Sequence, residues 1–510
     1  MMDTILLAYL CARCKLVKDS VSRPDMHQLA LYPRLCLISS IHETYKSAHL
    51  QACSTLSTDA TGTRSSMTGT LLHPRRAAKK EGTIMDVFTS LTDEAPELPA
   101  RFAELKRSIC KDKDAMVCSW NAVLKELETA VEEVAERGAD IIPSVSYSDV
   151  MRGLSAEQVN EIKRTGVVIV RGGVPREEAL GWKQSIKDYI QANVDKVKGI
   201  PPDNIVFYEI YNSPAQILAR THPALIATQR ALLSLWHCSS PDTQISLRTP
   251  LAYFDRLRIR PPGPSVFTLG PHIDGGSVER WEDPGFRACF ARILEGNWRA
   301  HDPFDASPRI HACQDLYNTP NHAGTGEGTL RVLPFLKLSS AYTMLRPFFR
   351  LGGTGWELDL ESTEFPGSVP GKAQELRGHT HPHLQLDRSM VSIPRVEPGD
   401  QVYWHCDVVH AVEAEHNGVG DSSVLYIPAV PLTEKNAAYL RDQRENFVGG
   451  RPPPDFPGGE GESRFAGRGS PEGVSSAEGR RMLGLEPFEC SPDATAAEVN
   501  VIEMANTLLS

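Results

Sequence analysis

Between residues 250 and 433 the chain is cut into short β-rich runs by clusters of Gly and Pro, the pattern of a sandwich or barrel. One run, Ala252-Tyr-Phe-Asp-Arg-Leu-Arg-Ile-Arg260, alternates so that Arg256, Arg258 and Arg260 share one strand face while Leu257 and Ile259 share the other. Gly328-Thr-Leu-Arg-Val-Leu-Pro334 is another strand closing on a turn, and Val391 to Pro394, Gln401 to His405 and Ser423 to Val430 complete the set. A chain of 510 residues has room for two or three domains, yet large all-β barrels run past about 200 residues as one unit. The expected class is mainly β with flanking helices, and no internal repeat is visible.

Helical patterns stand on either side of this region. Phe102, Leu105 and Ile109, then Val117, Trp120, Val123, Leu124, Leu127, Val131 and Val134, recur at three and four residues, so helices are expected to pad the outside of the core. Ser155-Ala-Glu-Gln158 reads as a capping box, followed by a strand at Gly166-Val-Val-Ile-Val170 and a helix with the stripe Ala179, Trp182, Ile186, Tyr189. Beyond Val448 the Gly-, Pro- and Glu-rich run to Gly479 reads as a flexible loop, and a last amphipathic helix is expected to dock through Val499, Ile502, Met504 and Leu508. The expected organisation is a leader at 1–84, a helical segment at 85–150, the β-rich domain with helical flanks at 151–435 and an extension at 436–510. The leader ends in His73-Pro-Arg-Arg-Ala-Ala-Lys-Lys80. It reads either as a mitochondrial presequence or as an unstructured stretch before a start near Met67 or Met85.

The formal charge of −10 is unevenly spread, because residues 1–80 hold eleven Lys and Arg against five Asp and Glu. The rest is strongly acidic, which disfavours a nucleic-acid backbone as partner. No apolar run approaches the roughly 18 residues of a membrane span. The eleven cysteines are scattered singly, apart from Cys11-x-x-Cys14, and suggest reduced thiols in an intracellular compartment. The cytoplasm is expected, or mitochondria if the leader is a genuine presequence.

The chemistry concentrates in Gly270-Pro-His-Ile-Asp-Gly-Gly-Ser277, where His272 and Asp274 alternate on one strand face among glycines that permit close backbone approach. His-x-Asp triplets arise by chance, and His405-Cys-Asp407 is a second one. Far downstream, however, Pro398-Gly-Asp-Gln-Val-Tyr-Trp-His405 turns into a strand that delivers His405 and His410. Their odd spacing sends them to opposite faces, and His410 is the preferred third ligand, with His405 in a supporting or core role. Two imidazoles and a carboxylate make an open facial site for iron. His379-Thr-His-Pro-His383 is the rival cluster.

From about Ser155 to Pro431 the chain resembles the iron(II)/2-oxoglutarate dioxygenases of the phytanoyl-CoA hydroxylase type, and more closely the YbiU-like family of unknown function. The residues that carry the resemblance are Gly166 to Val170 with Gly173-Val-Pro175, Asp255 to Pro261, Gly270 to Pro284, Gly328 to Pro334, and Pro398 through His410. It implies a double-stranded β-helix, the cupin-like jelly roll, with iron on His272, Asp274 and His410, and with 2-oxoglutarate and oxygen as co-substrates. One departure stands out: such enzymes place an arginine about eleven residues after the distal histidine, whereas here no Lys or Arg occurs between His410 and Lys435. Arg258 and Arg331 are the expected substitutes, since a guanidinium fork suits a carboxylate. The expected function is oxidation of a small organic substrate by hydroxylation, desaturation or cyclisation. A non-catalytic jelly roll that binds a metal or ligand, and a zinc-type hydrolase using the same triad, are the alternatives. Glu279, Arg280 and Trp281 are expected to line the entrance or fix the loop.

Overall fold

The structure is a computed structural model that describes residues 97–510 except 266–267, 313–316, 319, 323–329 and 457. The leader and Cys11-x-x-Cys14 lie outside the described residues. Helix accounts for 43% and strand for 17% of the described residues. The chain is thus a mixed helix-and-sheet structure rather than the mainly β one expected: β-rich runs that read as full strands form short pairings, and the helical flanks extend over much of the sequence.

Helices α1 (Arg101–Ile109) and α2 (Lys113–Arg137) open the described chain. Asp112 caps α2 by accepting from the Ala115 amide, and Met116, Trp120, Val123, Leu127, Val131 and Val134 form its buried stripe. These helices do more than pad the outside. Trp120 is fully buried and stacked on Phe349 at 4.5 Å, within the same core cluster as the central strands.

Helix α3 (Ala156–Thr165) carries the expected capping box between Ser155 and Gln158 and ends at Gly166, whose φ of 74° only glycine adopts without strain. The chain then enters β1 (Val167–Arg171) and α4 (Arg176–Ala192), which buries Ala179, Trp182, Ile186 and Tyr189. Next come β2 (Phe207–Tyr208), β3 (Ile245–Ala252), β4 (Leu257–Arg260), β5 (Gly263–Pro264) and β6 (His272–Ile273). Strands β7 (Tyr317–Asn318), β8 (Pro320–His322) and β9 (Leu330–Val332) precede helix α5 (Leu336–Leu345). Then follow β10 (Gln374–Glu375), β11 (Val391–Ser392), β12 (Gln401–His405), β13 (His410–Val412), β14 (Glu415–His416), β15 (Ser422–Tyr426) and β16 (Ala429–Thr433). Helices α6 (Glu434–Gly449) and α7 (Ala496–Leu509) complete the set that matters here.

Two sheets position the site. In the larger, an eleven-stranded one, β2, β4, β15, β8, β12, β7, β16 and β3 are successive neighbours, with β1 branching from β12. In the smaller, of five strands, the order is β10, β6, β13, β9, β11. One core cluster holds residues from both, including Val402, Tyr403 and Trp404 of β12 and Ile273, Leu330, Val332 and Ala411 of the smaller sheet.

The C-terminal segment is fastened to the body. α7 buries Val501, Ile502, Ala505 and Leu509, a stripe rotated from the expected one, and packs with α6 on β3 and β16. The run expected to be a flexible loop has little regular structure. Glu462 within it is nevertheless buried, accepting from the Tyr189 hydroxyl at 2.9 Å and from the backbone amides of Tyr211 and Asn212. Among the described residues no helix is long and apolar enough to cross a membrane.

Candidate metal centre

β6 and β13 pair antiparallel with His272 opposite His410, so the two imidazoles rise from one face of the smaller sheet as a cross-strand pair. Their ring centroids lie 4.2 Å apart. Asp274, one residue past β6, completes the group: its Oδ1 is 3.5 Å from His272 Nε2 and its Oδ2 is 3.3 Å from His410 Nε2. One ligand atom from each residue lies within 4.8 Å of the others. Gly275 and Gly276, at φ of 67° and 76°, turn the chain sharply behind Asp274. A Cβ on Gly276 would come within 2.4 Å of the Phe286 ring.

Each imidazole is aimed by its own strand. His272 Nδ1 is 2.7 Å from the Gly270 carbonyl and His410 Nδ1 is 3.0 Å from that of Val408. A carbonyl at that distance requires the proton on Nδ1, which leaves the Nε2 lone pair directed at the shared point. Burial would raise the Asp274 carboxyl, but the His410 charge and hydrogen bonds from both imidazoles hold it well below the usual carboxylate range. Burial lowers His410, yet the Asp274 carboxylate opposite outweighs it and raises its pKa. Two imidazole Nε2 atoms and one carboxylate oxygen, converging on one point and backed by carbonyls, suit a divalent transition metal. The donor set therefore fits iron.

A buried ion network ties the two ligand-bearing segments together. Arg280, 2% exposed, donates through Nη2 to the carbonyls of Asp274 at 2.9 Å and Gly275 at 2.6 Å. Its Nη1 faces Asp407 Oδ1 at 3.6 Å, and Asp407 Oδ2 accepts from Arg309 Nη2 at 2.5 Å. Glu279 accepts from the amides of Ser277 and Gly371, and Trp281 donates its indole N–H to Met344. Glu279, Arg280 and Trp281 thus fasten the loop behind the ligands. Sequence reading did not find Arg309 or Asp407 as part of this clamp; the run of arginines at 280, 287, 292, 299 and 309 gives no sign of which one is buried.

The second His-x-Asp group is of another kind. His405 donates from Nε2 to the Pro303 carbonyl at 3.0 Å and accepts from the Asp407 amide at Nδ1, so neither nitrogen has a lone pair to offer. It stacks on Trp236 at 4.7 Å, and burial pushes its pKa down to about 3. In the rival cluster His381 is buried, and burial lowers it to about 3. His383 packs edge-on against Trp120 and Trp356. His381 is a core histidine and His383 a half-buried one packed on aromatic rings.

The structure separates the expected carboxylate-binding arginines. Arg331 pairs with Ala411 in the β9–β13 register, while Val332 pairs with His410, so its side chain leaves the opposite face from the imidazoles. There it donates to the Met390 carbonyl and faces Glu413 at 3.8 Å. Arg258 is buried on β4, opposite Val424 of β15, with Arg260 beside it opposite Ser422. Leu257 belongs to the cluster containing Trp182 and Ile186 of α4, so the arginines point to the other side, into the molecule. Arg260 Nη1 donates to the Glu413 carbonyl, three residues past His410, at 2.8 Å.

Residues 96–485 match the Gig2-like family. The uncharacterised protein YbiU of Escherichia coli K12 is 33% identical over 429 residues, spanning 78% of this chain and 99% of YbiU. Among solved structures, GIG2 of Candida albicans, the GlcNAc Inducible Gene 2 product, has a TM-score of 0.75 and 30% identity over 82% of this chain and 96% of that one. The hypothetical protein JW0805 of E. coli gives a TM-score of 0.67 and 31% identity, covering 76% and 99%.

Proposed function

The chain belongs to the Gig2-like family, and from that premise we propose that it is an iron(II)- and 2-oxoglutarate-dependent oxygenase acting on a small organic substrate. The convergence of His272, Asp274 and His410, each imidazole presenting Nε2, carries this reading. The order of strands supports it. From β4 to β15 the chain crosses repeatedly between the sheets, so that β4, β15, β8 and β12 are neighbours in one and β6, β13, β9 and β11 in the other. We read these as the two faces of a jelly roll.

When bound, iron with 2-oxoglutarate and oxygen supplies a strong oxidant, coupling decarboxylation of the co-substrate to oxidation of a second molecule. The protein does the rest. His272, Asp274 and His410 would hold the metal, and three protein ligands would leave further positions for co-substrate and oxygen. The Gly270 and Val408 carbonyls fix the orientation of the imidazoles through Nδ1, and Arg280 holds the turn that presents Asp274. Trp404 packs on His410 at 5.2 Å and helps exclude water. The inward arginines of β4, Arg258 and Arg260, answer the missing downstream arginine by offering guanidinium groups to a carboxylate from the neighbouring strand.

The test is succinate formation from 2-oxoglutarate by purified protein, loaded with iron anaerobically and then exposed to oxygen, with His272→Ala as control. Iron-dependent succinate that disappears in the variant is expected. Metal binding without 2-oxoglutarate binding or oxygen consumption would refute the reading in favour of a non-catalytic metal-binding protein.

A further inference from the structure

The inner face of β4 carries two buried cations that form no ion pair among the described residues. Arg258 and Arg260 are 5% and 2% exposed, and Nε and Nη2 of both are buried with no hydrogen-bond partner among the described residues. Arg258 is hydrogen-bonded to the Tyr426 hydroxyl, and Arg260 to the Glu413 carbonyl. The Glu413 carboxylate turns away, to Ser392 and Arg331. Arg256, next in the alternation, is differently placed, sandwiched between Phe207 and Phe456 and paired with Asp255. Burial and the neighbouring Arg258 charge lower Arg260 to about 10, which leaves it cationic at neutral pH. Buried guanidinium groups with free N–H donors are costly unless an anion completes them.

The two arginines lie at different depths. β13 runs from His410 past Glu413 into β14, and β4 runs from Arg258 past Arg260 into β5. Because β14 pairs with β5, both strands head toward the same end, away from the metal ligands. Arg260, at the level of Glu413, is about 10 Å along the strand from His410, and Arg258 is about 7 Å nearer the ligands' level at about 3.3 Å per residue. The deeper position matches the reach of a five-carbon dicarboxylate chelating the metal at its other end.

Resting on the oxygenase reading, we propose that Arg260 seats the far carboxylate of 2-oxoglutarate while Arg258 seats a carboxylate of the primary substrate, so that the enzyme oxidises an organic acid. Two neighbouring buried cations on one strand face can accept two anions at once, and a neutral substrate would leave Arg258 with the Tyr426 hydroxyl alone.

The experiment uses the full chain loaded with iron(II) under anaerobic conditions. Binding of 2-oxoglutarate is followed by the charge-transfer absorption of its iron complex, and acetate, as a probe for the second seat, is titrated into that complex by calorimetry. R260Q is expected to weaken 2-oxoglutarate at least tenfold. R258Q is expected to keep it within about threefold and to lose the acetate binding seen in wild type. Removing an uncompensated buried charge should leave both metal-free variants melting at or above wild type. Equal loss of 2-oxoglutarate in both variants, or unchanged acetate binding in R258Q, would overturn the division of roles. No 2-oxoglutarate band in wild type would refute the co-substrate reading and the Arg260 assignment together. Acetate binding abolished only in R258Q would, even then, support the substrate-side seat.

Discussion

Replacing Arg280 with Met tests whether the metal ligands are held by the buried ion network or only by their own strands. Arg280 makes two hydrogen bonds to the carbonyls of Asp274 and Gly275 and faces Asp407, with 2% of its surface exposed. A hydrogen bond involving a charged partner contributes about 1.5–3 kcal/mol, and the methionine refills much of the apolar volume, so the expected loss of stability is about 3 kcal/mol. Asp407 stays paired with Arg309, and the fold should survive. The turn bearing Asp274 loses its brace, and outer-shell losses of this kind lower metal affinity about 10- to 100-fold. Asp407→Asn should differ: it strips the counter-charge from two buried guanidinium groups and should cost about 3–5 kcal/mol. Urea unfolding gives the stabilities, and cobalt(II) titration followed by absorption gives the affinities. An R280M protein that binds cobalt as tightly as wild type would refute the bracing role, whatever its stability.

Glu462 predicts a pH dependence of folding. Burial pushes its carboxyl up to about 7, above the ordinary value, against the lowering effect of its hydrogen bonds with Tyr211, Tyr189 and Asn212. The folded state therefore binds the proton more tightly than the unfolded one between about pH 4.5 and 7, and stability from this group is full below that window and lost as pH rises through it, by about 3 kcal/mol. Urea unfolding at pH 5 and pH 8 should show that loss in wild type and much less of it in Glu462→Gln. Because Asp274 raises the His410 pKa in the metal-free protein, protons compete with metal, and apparent cobalt affinity should fall progressively as pH drops below the His410 pKa. A flat affinity between pH 8 and 6 would contradict this. Trp120→Ala should destabilise the protein by about 3–5 kcal/mol in urea unfolding, since the ring is fully buried and stacked on Phe349.

The parts of this molecule that sequence reveals are those where spacing alone fixes direction. Alternation put His272 and Asp274 on one face, whereas His405 and His410, expected to part by their odd interval on one strand, are separated by a break that puts them in different sheets, one stacked in the core and the other meeting Asp274. Capping residues at Ser155 and the stripe from Trp120 to Val134 likewise follow from local chemistry. What stayed hidden depends on which side of an alternating strand is covered. On β4 a charged face would ordinarily be read as solvent-facing, but α4 covers Leu257 and so turns the arginines inward. On β9 the neighbouring register sent Arg331 the other way. Glu462 was out of reach for a similar reason: nothing in a Gly-rich run announces that one carboxylate will receive two backbone amides some 250 residues away.

The cross-strand pairing of His272 with His410 also makes the site a proofreader of assembly. A slip of one residue between β6 and β13 would carry one imidazole to the far side of the sheet, and no three-ligand point would form. A metal that requires both therefore binds only chains whose sheet has closed in register. At a free concentration one hundred times its dissociation constant it adds about 2.7 kcal/mol to that arrangement and nothing to its slipped competitors. Metal supply during folding, as well as during turnover, would then decide how much of the chain reaches its native pairing.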